Sequence, residues 1–139
     1  MICFACCLYE REKYMAKTKA TEINWLPEVE EHDYPAAESY LRIIYGEESV
    51  SEVISMLRRA PIMQFKAKDV FRASQLSLLG VSNSHVDKDR RKILEGKCLS
   101  PLLLVRDQRN GKVVIADGYH RMCAIYGFNE DALIHCKIV

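Results

Sequence analysis

The chain has 139 residues, 49% of them hydrophobic and 28% charged, a composition that fits one compact domain and excludes a disordered or fibrous chain. Twenty basic against nineteen acidic residues leave a formal net charge of +1, so no overall field draws the protein to DNA or to an anionic membrane. The longest early apolar run, Met1 to Tyr9, is far below the ~20 residues of a membrane helix and has no basic segment before it as a signal peptide does, so a cytoplasmic protein is expected.

Of the six cysteines, Cys3, Cys6 and Cys7 form a C-x-x-C-C cluster, whereas Cys98, Cys123 and Cys136 are scattered. A structural zinc site needs four ligands in two close pairs, and the second pair is missing; Cys123 and Cys136 are expected as buried thiols. Met15 opens Met15-Ala16-Lys17-Thr18-Lys19, a more conventional start, which makes residues 1–14 a candidate upstream extension. From Tyr34 to Tyr45, Ala37, Leu41 and Ile44 share one helical face, and Gly46 is expected to end that helix in a left-handed conformation. Val50, Val53, Ile54 and Leu57 form a second stripe that ends before Pro61, with Ser49 and Glu52 at capping-box spacing.

A short strand is predicted at Ile62–Phe65, then a loop-rich stretch through Ser74, Gly80 and Ser82 to Ser84. A charged helix follows over Val86–Leu94, with Val86, Ile93 and Leu94 inward and Gly96 at its end. Pro101–Val105 is continuously apolar, Asp107–Gly111 supplies turn residues, and Val113–Ile115 completes a hairpin expected to be covered on one side. A helix from Tyr119 to about Tyr126 and a last strand over Ala132–Val139 finish the chain.

One stretch gathers chemistry: Asp117-Gly118-Tyr119-His120-Arg121, where a strand ends and a helix begins. Such a corner exposes unpaired backbone N–H groups at the positive end of the helix dipole, which suits an anion. Arg121 adds a planar fork that matches phosphate, His120 a proton carrier, and Asp117 a metal ligand or base. The same residues have structural uses, since Asp117 suits an N-cap and Gly118 a turn.

The box Ala116–Arg121, after the Ser100–Val105 strand and a short hairpin, resembles the ParB/sulfiredoxin superfamily. That family's pattern runs from a P-[apolar]3-V strand through an aliphatic strand and a G-x-[HR]-R box to a final V-P-[apolar] strand. The match covers residues 62–139, with Ala132–Ile138 as a last strand that lacks the proline; residues 1–61 lie outside it. The resemblance implies an α/β domain with a small mixed sheet and flanking helices at 62–139, extended by a packed helical pair within 1–61. It also implies that Gly118, Tyr119, His120 and Arg121 hold the phosphates of a nucleotide. Ser100 and Arg90 would contribute too, the latter from His85–Lys92, which is similar to the family's D-P-x-[KR] segment; taken alone, those charges are a solvated helix face.

Sulfiredoxins carry a nucleophilic cysteine where this chain has Tyr119, a phenol of ordinary pKa ~10 that cannot replace a thiolate, so sulfiredoxin activity is not expected. Partition proteins carry a G-E-R-R box and a long downstream region, and no such region follows within the 139 residues. The free-serine kinase branch, with an Asp-Gly-His-His-Arg box, resembles Asp117–Arg121 most closely. It implies phosphate transfer from ATP or another nucleotide to a small-molecule hydroxyl, or nucleotide hydrolysis, with Mg2+ on Asp117 and with Asp117 and His120 as catalytic residues. Asp87 or Asp89 would have to supply a second acid. On this expectation Arg121→Ala would leave the melting temperature nearly unchanged. The alternative is a non-catalytic partner- or DNA-associated accessory module resting on Arg58-Arg59 and Arg90-Arg91-Lys92, too few charges for more than weak, salt-sensitive DNA binding.

Overall fold

The continuous apolar run at residues 101–105 is apolar on both sides because both sides are covered. In a computed structural model that describes residues 22–139, it forms strand β2, Leu102–Asp107. Its side chains alternate as a pleat requires: Leu102 and Leu104 enter one hydrophobic cluster, Leu103 and Val105 another. The paired strand β3, Lys112–Asp117, divides likewise, with Val113 and Ile115 on one side and Val114 and Ala116 on the other. The hairpin is thus clad on two faces, where the sequence pointed to one.

One layer consists of α1, Asp33–Ile44, and α2, Glu47–Arg59, which bury Tyr34, Ala37, Leu41, Val50, Ile54 and Leu57 with the second cluster. The opposite layer holds α3, Ala67–Ser74, α4, Ser84–Leu94, and α5, Tyr119–Phe128. Between them β1, Met63–Lys66, and β4, Leu133–Ile138, complete a four-stranded mixed sheet of order β1-β4-β2-β3. Only β2 and β4 run parallel; the other pairings are antiparallel. The crossover between those parallel strands carries α5, the helix that the Asp117–Arg121 box opens.

The fold is therefore mixed α/β, with elements close to those predicted and several differences of detail. Residues 67–74, expected as loop, are helical: Ala67, Val70, Phe71 and Ser74 have i, i+3, i+4, i+7 spacing, and the chain anchors the start through Ala67 N–H to Ala132 C=O at 2.8 Å. Helix α2 begins at Glu47 with no side-chain cap, so Ser49 and Glu52 do not form a capping box, and Gly46 is extended at φ −69° rather than left-handed. Ile44 and Leu94 sit at the helix ends and are 45% and 56% exposed instead of inward. Cys123 and Cys136 are buried as expected, while Cys3, Cys6, Cys7 and Met15 lie outside the described residues. Among the described residues no helix is long and apolar enough to cross a membrane.

The segment before α1 is tied to the rest. Leu26 N–H and Leu99 C=O, and Leu99 N–H and Asn24 C=O, bond at 2.8 Å each, and Trp25 stacks on His135. Buried Lys137 donates to Glu28 at 2.7 Å and to the Arg58 carbonyl at 3.0 Å. Its ammonium thereby satisfies the C-terminal end of α2, where a positive charge is favoured.

Candidate functional site

The corner between β3 and α5 is built around a glycine. Gly118 holds φ +105°, and a Cβ there would lie 2.6 Å from Leu102 Cγ and 3.1 Å from Arg121 Nη2. Leu102 is fully buried, so the glycine is required by the protein's own packing. A bulge between Leu103 and Leu104, which pair with Asp117 and Ile115, falls beside this corner and turns the strand end as bulges do. Gly118, and not Asp117, is the N-cap, and it offers no side-chain bond to the helix. The N–H groups of Tyr119, His120 and Arg121 therefore have no acceptor within α5.

Arg121 does not face outward. Its Nη2 donates to Asp117 Oδ2 at 2.6 Å, and its Nη1 donates to Asp33 Oδ2 at 3.2 Å and to the Ser100 carbonyl at 2.8 Å. The guanidinium side chain is 12% exposed and Asp33 is 9% exposed. Ser100 Oγ donates to Asp33 Oδ2 at 2.6 Å and accepts from the Glu30 N–H at 3.0 Å. The expected phosphate contacts from Arg121 and Ser100 are thus replaced by an internal network joining α1, the segment that leads into β2, and α5.

Two carboxylates around one guanidinium leave a negative charge in excess. Burial pushes the Asp117 carboxyl up to about 6; Arg121 opposes that rise and the neighbouring Asp33 adds to it. Asp117 does not fit as a magnesium ligand: one oxygen is bound to Arg121, and among the described residues no group of three His, Cys, Asp or Glu side chains could hold a metal ion.

His120 has a different fate from its neighbour. Its ring lies 5.0 Å from that of His85 and 5.6 Å from that of Tyr119. His85 and His120 are each the second residue of their helices, and further along Arg90 sits over the Phe128 ring at 5.4 Å, so α4 and α5 run side by side in one direction. Arg90 is thereby held away from the imidazoles, contrary to the expectation that it shares their anion. Asn83 accepts from His85 N–H and Val86 N–H and so occupies amides of α4; the open amides belong to α5. Burial and the adjacent His85 lower the His120 pKa, with Asp89 acting in the other direction. Burial raises Asp89 in turn, against Lys92, Arg121 and His120. The Tyr119 hydroxyl donates to the Ser77 carbonyl, so this side chain pins the 75–83 loop.

Next to the network lies a polar cleft of about 350 Å³, lined by Glu30, His32, Asp33, Lys88, Asp89, Lys92, Cys98, Leu99, Ser100 and Arg121. Its fixed cations, Lys88, Lys92 and Arg121, are matched by the carboxylates of Glu30, Asp33 and Asp89. The basic pairs noted in the sequence are largely neutralised as well: Arg58 meets Glu31 at 2.6 Å, Arg91 meets Asp87 at 2.9 Å, and Lys92 lies 3.8 Å from Asp89. Sequence analysis missed Asp33 and His85. Asp33 is 88 residues from Arg121 and falls just before the predicted start of its helix at Tyr34, with no motif around it; His85 likewise stood directly before the predicted helix at Val86.

Comparison with protein-family models, with curated proteins and with solved structures returned no match to this chain.

Proposed function

We propose that the protein binds the phosphate groups of a nucleotide, as a ParB/sulfiredoxin-like domain, with the seat at the head of α5 beside the head of α4. One observation carries this: two helices running in the same direction begin with imidazoles 5.0 Å apart, over amides of α5 that Gly118 leaves uncapped. Both macrodipoles then point their positive ends at one place, and the imidazoles line it with hydrogen-bonding ring nitrogens. Arg121 acts here as a positioning residue that fixes the corner through Asp33 and Asp117. Burial and the adjacent His85 lower the His120 pKa, which favours the neutral imidazole that can take a proton and extends the reading to phosphate transfer from ATP or another nucleotide to a small hydroxyl.

The test is a titration of 15N-labelled protein with ATP, CTP and ADP, with and without magnesium. The expected result is shifts centred on the amides of Tyr119 and His120, larger at pH 6 than at pH 7.5 because acidification works against the lowered pKa of His120 and adds positive charge at the seat. A folded chain whose amides stay unmoved by all three nucleotides ends the proposal. A second reading, a non-catalytic accessory module, draws on the internal pairing of Arg121. Nucleotide binding without turnover or transfer would favour it.

A further inference from the structure

A second cavity shares no lining residue with the polar cleft. About 230 Å³ of space lies between α3 and the sheet, bounded by Phe65, Val70, Ala73, Leu104, Val113 and Ile138, with Asp69 and Arg106 at its margin. It opens into a recess of about 300 Å³ that also borders Arg106, and there Asp107, Gln108 and Lys112 line the wall. The space exists because α3 has only eight residues and presents the small side chain of Ala73 to this part of the sheet.

The charge at the margin is unusual for its position. Leu102, Leu104 and Arg106 occupy the same row of β2 by strand alternation, and the first two are core residues packed on the helical layer. Arg106 therefore continues a core-facing row; its backbone N–H donates to the Val139 main-chain oxygen at 2.8 Å, but among the described residues no carboxylate lies within ion-pair distance of its guanidinium. The two acids in the linings are engaged elsewhere: Asp69 lies 3.7 Å from Arg72, and Asp107 accepts from the Asn110 N–H and side-chain amide. An apolar slot ending in an uncompensated guanidinium, with Lys112 beyond it, is complementary to a molecule with an apolar body and one anionic end.

We propose that this slot binds a small hydrophobic monocarboxylate, its acyl chain or single aromatic ring between α3 and the sheet and its carboxylate on Arg106. The apolar walls exclude water around the body of the ligand, and the planar fork supplies two parallel donors to the carboxylate. The site is independent of the nucleotide seat, and either can fail without the other.

Calorimetry on the full chain with octanoate, octanol and octylamine as probes tests it. Octanoate is expected to bind at least about tenfold more tightly than octanol, the scale of one charge-assisted hydrogen bond, and octylamine to bind most weakly. Arg106→Glu should remove the preference for octanoate while leaving octanol unchanged, and Ala73→Phe should block both by filling the slot. Equal binding of all three probes, no binding of octanoate, or an octanoate affinity untouched by Arg106→Glu overturns the proposal. Arg106 is exposed, so that variant decides the matter even if Ala73→Phe does not fold.

Discussion

His120 and Arg121 are adjacent in the chain and opposite in role. Arg121 turns inward, where three acceptors on Asp33, Asp117 and Ser100 take up its donors. His120 stays at the mouth of its helix against a second imidazole. The difference teaches that a basic residue in a phosphate-type box is free to meet a ligand only if the fold has not already supplied its counter-charge. Here the counter-charge comes both from Asp117 in the box itself and from Asp33 of α1, on the far side of the sheet from α5.

The largest expected effect separates the two residues directly. Arg121→Ala should destabilise the protein by about 3–5 kcal/mol, the cost of leaving buried carboxylates without their partner, reversing the expectation of an unchanged melting temperature. Denaturant unfolding at pH 7.5 measures it, and a loss under about 1 kcal/mol would mean that the network carries little weight. Gly118→Ala should follow at roughly 3 kcal/mol, combining an alanine forced into a left-handed conformation with a collision against Leu102. Serine in place of glycine should fare no better, since the obstacle is the first side-chain carbon.

Asp117 gives a pH signature opposite in sign to that of His120, whose pKa is lowered. Its folded-state value of about 6 lies above the ordinary 3.8, so the folded protein holds that proton more tightly than the unfolded chain. Its contribution is fully present below pH 4 and is lost as pH rises towards 6, on the order of 2 kcal/mol. Subtracting the stability curve of Asp117→Asn from that of the native chain should isolate this fall; a difference flat between pH 4 and 6.5 contradicts the buried assignment. The smallest effect is on the other side of the comparison. His120→Ala should change stability by no more than about 0.5 kcal/mol, while weakening nucleotide binding about tenfold.

Periodicity made most elements legible. The stripes in α1 and α2 were visible because apolar residues recur every three to four positions, β2 and β3 as short continuous apolar runs, and the turn at Asp107–Gly111 through its turn residues. Helix α3 was not, because two turns carry a stripe of only four residues, Ala67, Val70, Phe71 and Ser74, between charged neighbours. The corner at Gly118 was visible as a strand-to-helix junction, but the reason for the glycine was not, since Leu102 meets it across the sheet. Likewise the box was visible as a group of polar side chains, whereas the inward turn of Arg121 rests, beyond the local Asp117, on Asp33, 88 residues away. A local pattern cannot encode which of two neighbouring cations finds a distant acid.

The two-sided cladding of β2 has a consequence for anyone dissecting the protein. A fragment starting at Ile62 would keep the box, all four strands and the imidazole pair, yet it would present Leu103, Val105, Val114 and Ala116 to solvent and deprive Arg121 of Asp33 and Lys137 of Glu28. Such a fragment should aggregate, because its bare sheet face becomes an adhesive patch.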